Sequence, residues 1–470
     1  MKKINFDYKK VPLHSWIWVT IYAILTIGMA IWTRNVWVFI IVFPFLFDIC
    51  ITHIIPWRWW EKSNSKALKS FMKLIEDLVV VLIVVHMLNL FIFQNFKIPS
   101  SSLEKTYLVG DYLYVSKLSY GPRVPMTPLA FPLFHNQFPW GGKTYSEKPQ
   151  WEYKRLKGLR EIKLYDIVVF NFPAGDTICT KKLNPDYYTT VHMDGRDRVW
   201  NDKQTYGEIQ YRPVDMRDHY VKRLAGMPGD SLAVIDNDLY LNGVKQERPK
   251  EMQLNYYVQT NGAFFTNEEL QQLGVSNDDV LFFSGQDPRF SYLYQSYLKL
   301  DSVNNSGYGA VYHMPLTEEM KTELSKHSAV KKIVIEPTPD VKSFPTYPLN
   351  LDTGWTRDNY GPIWIPKKGA TITLTPENLE IYDRCIRNFE RHNLEIKDGK
   401  VFIDGVQSDT YTFAMDYYFM LGDNRHRSAD SRAWGFVPED HIVGTPLFVW
   451  LSWDKDKQGV RWNRFFKLPK

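Results

Sequence analysis

Ile98-Pro99-Ser100-Ser101-Ser102-Leu103-Glu104-Lys105-Thr106 stands where a long apolar run ends and a polar, strand-rich region begins. Proline fixes its own φ and pushes Ile98 toward extended geometry, so the helix implied upstream stops here and three consecutive hydroxyls sit on irregular backbone. Such a turn presents a nucleophile well. A Ser-rich loop leaving a helix is also ordinary turn chemistry, so the stretch gains meaning only from what the rest of the chain supplies.

Toward the N-terminus, residues 78–96 (LVVVLIVVHMLNLFIFQNF) are apolar over the length that crosses a bilayer. So are 15–33 and 36–55, separated only by Arg34 and Asn35. The sequence predicts three transmembrane helices, about 15–33, 36–55 and 78–96, in a membrane domain of residues 1–97. The first run is no cleaved leader on this reading, because it is long, no small-x-small site closes it and a second span follows at once. Lys2, Lys3, Lys9 and Lys10 precede the first span, and Arg58, Lys62, Lys66, Lys69 and Lys73 lie between the second and third. Basic residues stay on the cytoplasmic side, so the N-terminus is expected in the cytoplasm and everything after Phe96 outside it. Trp57, Trp59 and Trp60 suit the interfacial aromatic belt. Asp48 and His86 are ionisable groups within apolar runs, at similar depths from the inner ends; the sequence leaves open whether they pair or each snorkels or finds backbone partners separately.

The 470 residues, 44% hydrophobic and 15% aromatic, can build large cores and exclude a disordered chain. A net charge of +5 is too small at this length to argue for nucleic acid. Cys50, Cys179 and Cys385 form no C-x-x-C pair, which speaks against a zinc site. At most one bridge is open outside the membrane, Cys179 to Cys385.

Downstream, Tyr107 to Lys117 (YLVGDYLYVSK) alternates around Gly110-Asp111 as hairpin strands do. Residues 119–160, rich in Pro, Gly and aromatics, read as an extended surface loop whose apolar content also suits the lipid interface. LYDIVVFNF, 164–172, is a buried-strand pattern closed by Pro173, and a polar excursion over 174–217 leads to YVKRLAGMPGD, 220–230, a strand running into a Pro-Gly turn. The hairpin SLAVIDNDLYLNGVKQ at 231–246 has a near copy, NLEIKDGKVFIDGVQ, at 393–407. Between the copies, a Thr266–Glu269 capping box, a cap at Thr317 and a Thr375-Pro376 helix start predict an inserted α+β subdomain. Arg384, Arg387 and Arg391 read as a solvated helix face rather than a nucleic-acid surface, since no aromatic stacking pattern accompanies them. The stretch 418–446 is turn-rich and polar, and its Asp423, Arg425, Asp430 and Arg432 suit a local ion-pair network.

A hydroxyl nucleophile needs a base. None of the histidines beyond residue 97 stands in a nucleophile–base pattern. A lysine serves if burial keeps it neutral, and Lys222, flanked by Val221 and Leu224 on a strand-like stretch that also holds Arg223, has an apolar setting. Taken alone, it reads as a strand lysine facing water.

Taken together, PSSSLEKTYLVGDYLYVSK, YDIVVFNFP, YVKRLAGMPGD and YFMLGDNRHRSADSRAWGFVPEDHIVG, in this order after a membrane helix, resemble the bacterial type I signal peptidases, the Ser-Lys leader peptidase family. The resemblance implies N-terminal transmembrane helices followed by a mainly β catalytic domain of signal-peptidase type, here 98–244 and 393–470; it does not extend over most of 245–392, where the capping signals predict the inserted α+β subdomain. It implies an endopeptidase that removes N-terminal signal peptides from exported preproteins, needing no metal or other cofactor. The family pattern Pro-Ser-Gly-Ser-Met-x-Pro-Thr falls on Pro99 to Thr106, making Ser102 the nucleophile and Ser100 a donor to the oxyanion. Ser101, Leu103 and Lys105 depart from its glycine, methionine and proline. Lys222 becomes the general base and Arg223 a structural arginine; Ser428 would orient Lys222, and Asp430 and Arg432 would pair to hold that loop.

The implied partners are preproteins with signal peptides, membrane lipid and the neighbouring export machinery, with no nucleic acid. The implied location is the bacterial inner membrane, with the catalytic domain on its outer face. Two alternatives remain open to the sequence: a Ser-Lys peptidase dedicated to one export or conjugation substrate, and a catalytically silent, membrane-tethered binding paralogue.

Overall fold

The structure, a computed structural model, describes residues 11–32, 36–132, 134–284, 293–303, 307–339 and 344–468. Lys2, Lys3, Lys9, Lys10, Arg34 and Asn35, used above for orientation, lie outside the described residues. Among the described residues, two helices are long and apolar enough to cross a membrane: α1, Leu13–Trp32, and α3, Lys66–Phe91. At 1.5 Å per residue the 26 residues of α3 reach about 39 Å. Their apolar side chains point outward; Leu25, Leu74, Leu78 and Ile83 are all exposed.

The second expected span is shorter than its apolar composition suggests. Helix α2, Trp37–Phe47, runs into a π-helical turn, Asp48–Thr52, and stops at His53 in a left-handed conformation. The stop has a local cause. The Asp48 carboxylate accepts from Thr52 Oγ1, Ile54 N at 2.8 Å, Ile55 N at 3.1 Å and Trp57 Nε1 at 2.8 Å, folding the chain back over the helix end. Asp48 is therefore satisfied by its own segment, which answers the question the sequence left open: it makes no pair with His86.

The third span is also displaced. Ser65 caps α3 by accepting from Leu68 N, so the helix begins twelve residues before Leu78 and takes in a charged first stretch. It ends at Phe91, because Phe93–Lys97, β1, is captured by strand pairing with β2, Asp111–Ser116.

Beyond the helices an eight-stranded antiparallel sheet organises the chain. Its remaining strands are β3 (Ile167–Asn171), β4 (His219–Gly226), β5 (Tyr417–Leu421), β6 (Val437–Pro438), the long β7 (Ile442–Asp454) and β8 (Gly459–Val460). Hydrogen bonding runs β1-β2-β7-β3-β4-β5-β6, with β8 paired to β7. Strand β7 curls the sheet by changing partners, pairing with β3 through Ile442 and Gly444 and with β2 from Thr445 onward. Gly444 permits that crossover, since a Cβ there would lie 2.2 Å from Ser116 O. Both faces of β3 are buried, as its unbroken apolar run requires. Ile167 and Val169 pack with Ile98, Leu103 and Val115, while Val168 and Phe170 pack with Leu224, Met420 and Trp434.

The two similar hairpins fold alike, each as three short strands. Their turns, Asp236-Asn237 and Asp398-Gly399, carry positive φ at both residues, the twist that tight hairpins need. The segment between them uses the expected caps at Thr266, Thr317 and Thr375. It divides in its packing. Residues 254–335 build a four-stranded sheet with a separate apolar cluster around Val258, Met314 and Leu316. Tyr360, Ile363, Leu379, Tyr382 and Ile386 instead join Leu232, Phe419 and Phe436. The 174–217 excursion is more ordered than its polarity suggested, with three short helices around Cys179, Val199 and Tyr206. Arg384 is not on a solvated face: its guanidinium stacks 4.1 Å from the Tyr188 ring centre. Cys179 and Cys385 are both free.

Candidate active site

The serine stretch is pinned at both ends before it turns. Ile98 N donates to Asp111 O at 2.8 Å and Gly110 N to Ile98 O at 3.0 Å, closing a loop whose interior holds a single 3₁₀ turn, Ser101–Leu103. Ile98 and Leu103, 4% and 2% exposed, sink into the cluster beneath β2 and β7 and set the orientation of the residues between them. Ser100 heads the turn with extended backbone, exposed, its hydroxyl making no hydrogen bond among the described residues. Ser102 is buried.

Strand β4 brings Lys222 to this turn. In register with Val168 of β3, Lys222 is 5% exposed, and its Nζ donates to Ser102 Oγ at 2.6 Å. Desolvation pushes its ammonium pKa down to about 8; the charges of Asp430 and Asp423 work against that shift, and Arg432 adds to it. Lysine thus stands in contact with the one serine hydroxyl it would have to deprotonate, near the pH at which it is neutral.

The 422–432 loop closes over the pair. Asp430 and Arg432 form a fully buried fork, Nε to Oδ1 at 2.9 Å and Nη2 to Oδ2 at 2.8 Å. Gly422 N adds a bond to Asp430 Oδ2 at 3.1 Å, and Arg432 also donates to the carbonyls of Arg425 and Arg357. Arg223 is engaged elsewhere than in a purely local network: it grips Asp423 with Nε at 2.7 Å and Nη2 at 2.8 Å, while Thr106 Oγ1 donates to the same carboxylate at 2.7 Å. Asp423 therefore serves β4 and the serine loop, not Arg425. Ser428 is buried within the site, yet its hydroxyl has no hydrogen-bond partner among the described residues, so the expected bond to Lys222 is not made. It packs on Gly422, where a Cβ would meet Ser428 Oγ at 2.2 Å and Ser102 O at 2.7 Å.

The sequence reading missed the residues that reach the site from the insert. Asp279 accepts from Ser101 Oγ at 3.2 Å and from Arg427, one residue before Ser428. Lys105 Nζ donates to Gly274 O at 2.5 Å. Ser101 and Lys105 are two of the three positions that depart from the family pattern, and both face the same inserted segment. Their departure from glycine and proline was the only signal, and it had no partner in the sequence. Ser101 lies in a 3₁₀ turn and has no need of glycine. Lys105 has φ +75°, which proline cannot adopt. Beside them, burial and the charge of Asp279 hold the Glu104 carboxyl up at about 7. Among the described residues no group of His, Cys, Asp or Glu is arranged to hold a metal ion.

A family model described as "Signal peptidase, peptidase S26" matches residues 71–292 and 368–453, segments that contain Ser102, Lys222, Ser428, Asp430 and Arg432. The chain is similar to signal peptidase I of Buchnera aphidicola subsp. Acyrthosiphon pisum, 22% identical over 414 residues, covering 86% of this chain and 83% of the relative. It is also similar to signal peptidase I of Haemophilus influenzae, 23% identical over 424 residues (87% and 79%). Signal peptidase I of Helicobacter pylori strain 26695 is 22% identical over 417 residues (86% and 94%).

Proposed function

The chain belongs to the signal peptidases of the peptidase S26 family, and from that premise we propose that it is a membrane-bound serine endopeptidase removing signal peptides from exported preproteins with a Ser102–Lys222 dyad. The observation that carries this reading is the 2.6 Å contact between Lys222 Nζ and Ser102 Oγ in a buried site. With the amine neutral the same contact reverses, Oγ–H donating to nitrogen, and becomes the path of the proton. Ser102 Oγ attacks the scissile carbonyl as Lys222 takes its proton; the C–N bond then breaks as Lys222 returns that proton to the leaving amine. Water, deprotonated in turn by Lys222, releases the acyl group from Ser102. Ser100 Oγ and the Ser102 N–H are the donors assigned to the developing oxyanion. The Asp430–Arg432 fork and the Arg223–Asp423 pair hold the two sides of the site.

The preprotein is anchored by its own apolar helix, so tethering by α1 and α3 raises the effective concentration of the cleavage site. The proposed setting is the bacterial inner membrane, N-terminus in the cytoplasm and catalytic part outside, near the export machinery; the basic residues between the second and third apolar runs support it. In domain terms, 1–97 is the membrane part, and 98–244 with 393–470 the catalytic part. Within 245–392, the separate apolar cluster of 254–335 favours that stretch as the inserted unit.

The test is to incubate the full chain in detergent with a preprotein, beside Ser102→Ala and Lys222→Ala. Wild type should release the mature protein, and both variants should lose that activity. An intact preprotein with wild type, or normal cutting by either variant, would overturn the assignment.

A further inference from the structure

Where α3 gives way to β1, a cavity of about 360 Å³ opens between the helix end, the 119–160 loop and the head of β4. Neither Ser102 nor Lys222 lines it. Its walls bring together His86, Lys117, Arg123, His135 and His219 against one carboxylate, Asp215.

That carboxylate is already committed. It accepts from Met126 N at 2.9 Å, Thr127 N at 2.7 Å and Thr127 Oγ1 at 2.6 Å. Arg123 is committed too, donating to Asp440 O and, at 2.8 Å, to Asn171 Oδ1. His135 Nε2 is engaged with Arg217 O at 3.1 Å. Lys117 differs: its ammonium makes no hydrogen bond or ion pair among the described residues. His219 packs between the rings of Phe96 and His135, 4.7 Å from each, with no polar partner for its own nitrogens among the described residues.

Burial first, and then the neighbouring cations, lower the pKa of His219 well below its usual value, while burial and Arg123 push Lys117 down to about 7 against the opposing charge of Asp215. Lys117 and Arg123 outnumber the single carboxylate that lines the cavity, Asp215, so an anion supplied from outside would balance the excess positive charge. The remaining wall sets the polar Asn89, Gln94, Asn95 and Thr127 beside apolar side chains at the α3 end of the fold. Leu90 of α3 lines it, together with Phe131 and Phe134, which are 56% and 38% exposed.

We propose that this cavity binds a phosphate group, carried by an anionic phospholipid headgroup or as free inorganic phosphate, with Lys117 as its principal ionic partner and His219 as a second donor. The lipid source rests on the membrane-anchored reading above; the anion site does not.

The experiment uses the delipidated full chain in a non-ionic detergent. Phosphatidylglycerol, phosphatidylcholine and inorganic phosphate are added separately, and native mass spectrometry and thermal melting are the readouts. Phosphatidylglycerol or phosphate should bind and raise the Tm, and Lys117→Met should weaken that binding about tenfold, as loss of one charge-assisted contact implies. His219→Gln, a second variant, should weaken it in the same direction. Because Lys117→Met removes an unpaired cation, it should melt no lower than wild type without the probes. Phosphatidylglycerol that phosphate fails to displace identifies a lipid headgroup, and phosphate binding alone identifies the free anion. No binding of either probe, binding that both variants leave unchanged, or equal retention of phosphatidylcholine overturns the proposal. Preprotein cleavage is not the readout, so the outcome is independent of the dyad.

Discussion

Lys222 has to be buried enough to lose its proton and close enough to Ser102 to use the vacancy. Desolvation supplies the first, holding its pKa near 8 although Asp430 and Asp423 pull it back up. On the proposed mechanism the neutral amine is the working form, so kcat/KM for preprotein cleavage should fall about tenfold for each pH unit below about 8. A stopped assay from pH 6 to 9 measures this, and a flat acid limb would contradict a lysine base. Gly422 is the residue that lets Ser428 and the Ser102 carbonyl approach one another. Gly422→Ala should cost about 1–3 kcal/mol of stability, the usual penalty for overpacking, and reduce kcat at least in proportion to the displaced serine. Thermal melts beside the cleavage assay separate the two effects. Asp430→Asn leaves Arg432 a buried, uncompensated cation, at a cost of about 3–5 kcal/mol. At this scale the sequence was informative about identity and poor about partners. It named Asp430 and Arg432 as a pair, but it left Asp423 in a local network when the carboxylate crosses to Arg223 and Thr106.

Between elements, the serine turn that holds the proposed nucleophile is tied to the inserted segment as firmly as to its own sheet. Asp279, which follows the Asn267–Leu273 helix, holds Ser101 on one side and Arg427 on the other, so one carboxylate joins the loop of the nucleophile to the loop of Ser428. Asp279→Ala should lower kcat roughly tenfold with KM little changed, because it positions Ser102 without touching substrate. Asp279→Asn, which keeps an acceptor, should recover part of that loss. Equal kcat in all three proteins, measured at saturating preprotein, would show the contact to be structural only. Caps, hairpin turns and the Thr375-Pro376 helix start were legible because each is a local pattern. The helix ends were not. A strand partner took residues 93–97 from the third apolar run, and the Asp48 carboxylate ended the second early; both are decided by contacts that composition does not encode.

Over the whole molecule, β1 links the membrane helices to the sheet that carries the site. Removing residues 1–91 keeps β1 and should leave a protein that cuts a soluble signal-peptide substrate while losing much of its rate on membrane-embedded preprotein. Removing residues 1–97 strips β1 from β2 and should lower the Tm as well. Calorimetry and the two substrates side by side check both. The sequence by itself determined the class of the molecule: apolar runs before a proline, a strand-rich remainder, and four blocks whose order points to Ser102 and Lys222. These are properties of residue type and spacing along the chain. Only the tertiary structure decided which groups meet: that Lys222 lies 2.6 Å from Ser102, that Asp48 serves its own helix end, that Ser101 answers to Asp279, and that Lys117 and Arg123 open on one cavity with the single carboxylate of Asp215. Contacts between residues more than a hundred positions apart depend on how strands pair and curl, and no local pattern carries that information.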